Sequence, residues 1–243
     1  MMRSLLTISL LFSIAINSQG QTKTDSAKLY TLTISPRINS AGYFPFTGAL
    51  LNHDANFDFT VAFEKNNYGF FLFQSFDLVD NKSYVNYFQP AAFKKFPLSS
   101  SLTLGVYFGY LFSQTNSFKD KGESDYFGAL SQHWDINKKL RLENTMLFGD
   151  LTIQPKLINR LLLLYTVKKF RFDFYLHQRV VFDTKDLTAS AAIAVNLPKL
   201  KINDRFSVQP TITYQSYLTK ARPGYALKDG FLFSLTFPID LSK

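Results

Sequence analysis

Short runs in which large apolar residues take every second position recur along the chain, separated by polar or glycine-rich breaks. The clearest runs from Phe170 to Phe182, FRFDFYLHQRVVF. One set of alternate residues is Phe170, Phe172, Phe174, Leu176, Gln178, Val180 and Phe182, and the other is Arg171, Asp173, Tyr175, His177, Arg179 and Val181. A helix would scatter both sets around its circumference, whereas a strand sends them to opposite faces. Such a strand of 13 residues, at about 3.3 Å each and tilted by about 40°, rises roughly 33 Å, enough to cross a bilayer.

The same alternation predicts twelve strands: 29–35, 56–64, 68–78, 83–93, 102–112, 125–136, 140–148, 160–167, 170–182, 188–197, 205–217 and 231–238. Asn56 to Glu64 is a clean example, with Phe57, Phe59, Val61 and Phe63 on one face and Asn56, Asp58, Thr60, Ala62 and Glu64 on the other. Strand 102–112 alternates Leu, Val, Phe and Tyr with Gly105 and Gly109, which leave room for bulky neighbours on their face. Connections at 36–55, 113–124, 149–159 and 218–230 are long, while those at 65–67, 94–99, 137–139, 168–169 and 198–204 form the short set. The segments 79–82 and 183–187 are the exceptions. Long and short connections on opposite sides are what a single antiparallel up-and-down barrel requires, so the expected fold class is an all-β transmembrane barrel of about 12 strands.

Aromatic placement agrees with that reading. Tyr68, Phe96, Trp134, Phe170 and Phe206 lie near short turns, and Phe76, Phe112, Tyr126, Phe148, Phe182, Tyr217 and Phe231 lie near long ones. Rings prefer the two headgroup levels of a bilayer, so these form two girdles. A soluble sandwich seldom exposes a whole face of Phe.

The chain begins with a basic start at Arg3, an apolar run from Leu5 to Ile16 and small residues at Ser18-Gln19-Gly20. That is the pattern of a secretory signal peptide, expected at residues 1–20, with the barrel domain at 21–243. No stretch of 18 apolar residues is available for a spanning helix. Aromatic content is 16 % while mean hydropathy is near zero, as alternating lipid-facing and inward residues produce. The net charge of +9 falls largely in turns, and no nucleic-acid-binding signature accompanies it. Without cysteine there is no disulfide framework.

The leader, amphipathic strands and alternating connections resemble the outer-membrane β-barrel proteins of Gram-negative bacteria, a class-level resemblance over nearly the whole chain. It implies outer-membrane localisation, periplasmic termini, a surrounding lipid belt and insertion by the barrel-assembly machinery.

Candidate chemistry lies inside the barrel. Arg141, Glu143, Arg171, Asp173, His177, Arg179, Asp58 and Glu64 are expected to line the lumen, with Leu162, Leu164, Phe71 and Phe73 adding an apolar sector. Ser131 and His133 share one face about 7 Å apart, but catalysis also needs a third group to orient the base, and none is readable. Three scattered His and no Cys make no metal motif, and no nucleotide fingerprint or nucleophile elbow occurs, so neither metal nor cofactor is expected. The function expected is porin-like passage or binding of small solutes through a charged, partly constricted lumen. The alternatives are a non-conducting structural or surface-interaction barrel and an outer-membrane lipid hydrolase.

Overall fold

The computed structural model describes residues 29–41, 43–44, 49–50, 55–78, 86–114, 124–203, 206–219 and 229–242. The expected signal peptide lies outside the described residues, as does His53. Twelve long strands form the wall: β1 (Thr31–Asn39), β2 (Asn56–Lys65), β3 (Tyr68–Asp77), β4 (Asn86–Pro97), β5 (Leu102–Gln114), β6 (Asp125–Asn137), β7 (Leu140–Gly149), β8 (Lys156–Val167), β9 (Phe170–Val181), β10 (Asp186–Asn196), β11 (Ser207–Tyr217) and β12 (Gly230–Thr236). Each pairs antiparallel with its sequence neighbours, and β12 returns to β1. The sheet therefore closes, and its strands are free of the unpaired edges that invite aggregation.

Closure makes alternation a distinction between inside and outside. Phe170, Phe174, Leu176 and Phe182 of the β9 region are exposed, whereas Asp173, His177 and Val181 are buried. The same holds around the wall: Phe63, Phe70, Phe108, Leu130, Phe233 and Leu235 face out, and Asp58, Phe73, Ser131, Thr145, Gln215 and Ser234 face in. Tyr217 departs from its expected girdle position, because it opposes Ser190 on the inner face of β10. Tyr214, which packs at a tilt against Phe231 with centroids 4.8 Å apart, is the outward ring of β11.

Several strand limits move for identifiable reasons. β1 continues through Pro36 to Asn39. Pro36 accepts from the Phe237 amide at 2.8 Å, so in an antiparallel ladder its missing N–H also faces the β12 side and pairing to β2 is untouched. The described part of β4 runs from Asn86 past the expected turn to Pro97, and the expected strand residues 83–85 lie outside the described residues. Lys94 and Lys95 fit in the strand because their chains leave it in opposite directions. Lys94 reaches the Tyr68 hydroxyl at 2.6 Å along the outer rings, and Lys95 reaches Glu64 at 2.5 Å inside. β8 begins four residues early, at Lys156.

Turn chemistry closes the short ends. Asn66 and Asn67 have φ of 51° and 67°, the paired left-handed residues of a two-residue hairpin loop. At the opposite end, Asp125 accepts from the Thr152 amide (2.7 Å), the Thr152 hydroxyl (2.8 Å) and the Ile153 amide (3.0 Å), tying the β7–β8 loop to the top of β6.

Candidate lumen site

Three arrangements occupy the inner surface. The first is apolar. Ala91, Phe127, Ala129, Leu147 and Ile158 form a buried cluster against which Phe71 and Tyr107 pack, on β3 to β8. Phe73 and Leu162 are also buried, as the sequence predicts for the inward sector. The inward glycines make this packing possible. A Cβ on Gly109 would lie 2.7 Å from the Phe127 ring, and one on Gly105 would lie 2.4 Å from Ser131 Oγ and 2.9 Å from Tyr107 Cε2. Gly105→Ala is therefore expected to lower stability by about 1–3 kcal/mol, and Ser131→Ala in the same chain to recover part of the loss, as read by urea unfolding of the refolded barrel.

The second arrangement is a pair of buried polar chains. Arg37 donates to Asp58 through Nε (3.1 Å) and Nη2 (2.8 Å), Asn39 donates to Asp58 at 2.7 Å, and the Ser234 hydroxyl donates to Asn39 at 2.6 Å. This chain laces β2, β1 and β12 across the closure. On the adjoining strands β9 to β11 Arg171 donates to Asp173 at 2.8 and 3.0 Å, Asn196 donates to Asp173 at 2.8 Å, and the Thr211 hydroxyl donates to Asn196 at 2.9 Å. Full satisfaction of buried carboxylates by such donors is what makes their burial tolerable.

The third arrangement centres on Glu143. His133 Nδ1 lies 3.4 Å from Glu143 Oε1, Arg141 Nη1 lies 3.8 Å from Oε1, and Arg160 Nη2 lies 3.9 Å from Oε2. Arg141 also holds Asp135 at 2.6 Å. His133 Nε2 meets Ser131 Oγ at 3.2 Å, completing a Ser–His–Glu line across β6 and β7. Sequence reasoning missed the third member because pairing on a neighbouring strand is not written in local spacing. The line nevertheless lacks access for a substrate: Ser131 is 3 % exposed and its hydroxyl fills the space left open by Gly105 under Tyr107. A nucleophile must reach the reacting carbonyl, so here the serine positions His133.

Each sequence-predicted lumen residue sits on an inner strand face, but they do not converge on one point. Asp58 belongs to the closure chain, Glu64 to the ion pair with Lys95, Arg171 and Asp173 to the β9–β11 chain, and Arg141 and Glu143 to the cluster on β6 to β8. His177 is buried opposite Arg160 and Ser190, and Arg179 lies between Ile158 and Thr188. Arg37 and Arg160 were not singled out in the sequence. Pro36 obscured the first, and the early start of β8 obscured the second. Among the described residues no group of three or more His, Asp or Glu is placed to hold a metal ion.

A closed antiparallel barrel of twelve strands, aromatic and apolar outside, with buried polar chains and ion pairs beside an apolar cluster inside, is an outer-membrane β-barrel. Among solved structures it resembles the NanC porin in a rhombohedral crystal form, with a TM-score of 0.59 and 11 % identity over 86 % of this chain and 100 % of that one. It also resembles the KdgM porin (TM-score 0.57, 9 % identity, 85 % and 98 % covered) and a KdgM porin in complex with disordered oligogalacturonate (TM-score 0.55, 8 % identity, 85 % and 98 % covered). These likenesses are of fold. No family model matches the sequence, and no curated protein does.

Proposed function

We propose that the protein is a porin-like outer-membrane channel that passes or binds small solutes, anions before cations, through a charged and partly constricted lumen. The observation that carries this reading is the charge of one wall. Strands β7 to β9 bear Arg141, Lys156, Arg160, Arg171 and Arg179 against Glu143 and Asp173, with Asp135 and Asp150 pairing Arg141 and Lys156 from just outside these strands, which leaves an excess of positive charge. The guanidinium groups are spread along the strands: Arg141 and Arg171 beside the short turns, Arg160 and Arg179 toward the other end. A cationic wall in a confined space raises the local concentration of anions. Acidic oligosaccharides are one solute class of matching charge, since one barrel of like fold is described with oligogalacturonate bound. The apolar cluster, which starts on β3 and reaches Leu147 of β7 and Ile158 of β8, narrows the lumen beside this wall.

In this reading residues 1–20 are removed on export, the barrel-assembly machinery inserts the chain, and both termini lie in the periplasm with the short turns. The outward rings contact outer-membrane lipid. Full-length protein in planar bilayers is expected to give stepwise conductance with a reversal potential on the anion side. Silent bilayers together with liposomes that stay impermeable to small solutes would sink the proposal.

A further inference from the structure

Between the two girdles the outer surface of a barrel should be apolar, and on four consecutive strands it is not. Gln132, Asn144, Asn159 and Gln178 alternate with the buried inward residues Ser131, Thr145, Ile158 and His177, so all four carboxamides stand on the lipid side of β6 to β9. Gln132 opposes Asn144, and Asn159 opposes Gln178. Asn144 opposes Leu161 while Asn159 opposes Met146, which offsets the two pairs by a single same-face step. The result is one continuous polar diagonal. Asn144 stands midway along β7, between Leu140 and Phe148.

The diagonal is short of partners. Oδ1 of Asn144 and Oδ1 of Asn159 are enclosed by neighbouring side chains and accept no hydrogen bond. Acyl chains offer no donor, so polar groups at this depth must be satisfied by protein. We propose that this diagonal is the face through which the protein pairs with a second copy of itself.

A second copy fits for three reasons. A carboxamide carries both donor and acceptor, so once these amides turn outward the same face, rotated by a two-fold axis along the membrane normal, offers each of them a donor and an acceptor. The outward positions of β6 to β9 contain no charged residue, so two copies approach without repulsion. Beside the diagonal, Gln178 and Leu176 oppose Ala189 and Ala191, small residues that permit close approach.

The chain has no cysteine, so a single introduced thiol reports one position. Leu161→Cys lies on the exposed outer face beside Asn144, and Phe233→Cys lies on the exposed outer face of β12 as a control. Oxidation in outer-membrane vesicles is expected to convert L161C, and not F233C, into a homodimer. Single-molecule photobleaching of the labelled wild-type barrel in liposomes should show two steps. Asn144→Leu with Asn159→Leu should weaken pairing by about tenfold or more while keeping the heat-shifted gel mobility of a folded barrel. Single-step bleaching at every density, equal crosslinking at both positions, capture of a different protein by L161C, or leucine variants that pair like wild type would each overturn the proposal. If the leucine variants fail to insert, the comparison of the two thiols decides.

Discussion

Replacing Arg141 and Arg171 together by glutamate is expected to turn an anion-preferring pore into a cation-preferring one. Both side chains are about half exposed at the end of the barrel that carries the β6–β7 and β8–β9 turns. Their carboxylate neighbours Asp135, Glu143 and Asp173 remain, so the exchange replaces a mixed mouth with an acidic one. The chloride-to-potassium permeability ratio should fall by about tenfold or more, because the field in a confined mouth sets the local ion concentrations. Reversal potentials across a salt gradient measure it directly. Because Asp173 would lose a charged donor, the folded fraction should be checked by gel mobility first; an unchanged permeability ratio in a folded variant would mean that solutes do not pass this ring.

The largest effect on stability is expected at the closure. Asp58 is 2 % exposed and accepts from Arg37 and Asn39, so Asp58→Ala leaves a guanidinium enclosed without its main acceptor. Breaking one side of a buried ion pair costs about 3–5 kcal/mol. Arg37→Met combined with Asp58→Leu removes both charges and should recover most of that loss. The single tryptophan, Trp134, faces out near the short turns, so its fluorescence reports lipid contact during urea unfolding in liposomes. A small loss in the single variant would show that water reaches Arg37 freely.

The architecture was legible because the period of two is a physical requirement of a wall with lipid on one side. Phe57, Phe59, Val61 and Phe63, or Phe170 to Phe182, need no tertiary information to be assigned. Limits failed where a residue has meaning only in the closed sheet. Pro36 reads as a stop, yet its missing donor falls at the seam. Asn159 reads as a loop residue, yet it continues β8 and opposes Met146 and Gln178. Alternation assigns a residue to a face but not to a partner: Glu143 meets His133 and Arg160 only through register between strands, which no local spacing records. Among the outward amides, Asn144 and Gln178 stood visibly on apolar faces, while their continuity with Gln132 and Asn159 required the pairing.

The wall is also unequal around its circumference. β8 and β9 pair along twelve positions from Lys156↔Val181 to Val167↔Phe170, whereas β1 meets β12 through residues 37–39 and 234–236 and then the short segment Ile239–Asp240. Pro36 withholds a donor at that junction and Pro238 stands opposite Ser35. The first and last strands can join only after the whole sheet between them exists, and they join by the fewest bonds. Parting this line costs less than parting any other long pairing, so amide exchange should enter the barrel there and the sheet should uncurl from its clasp while β7 to β9 still hold.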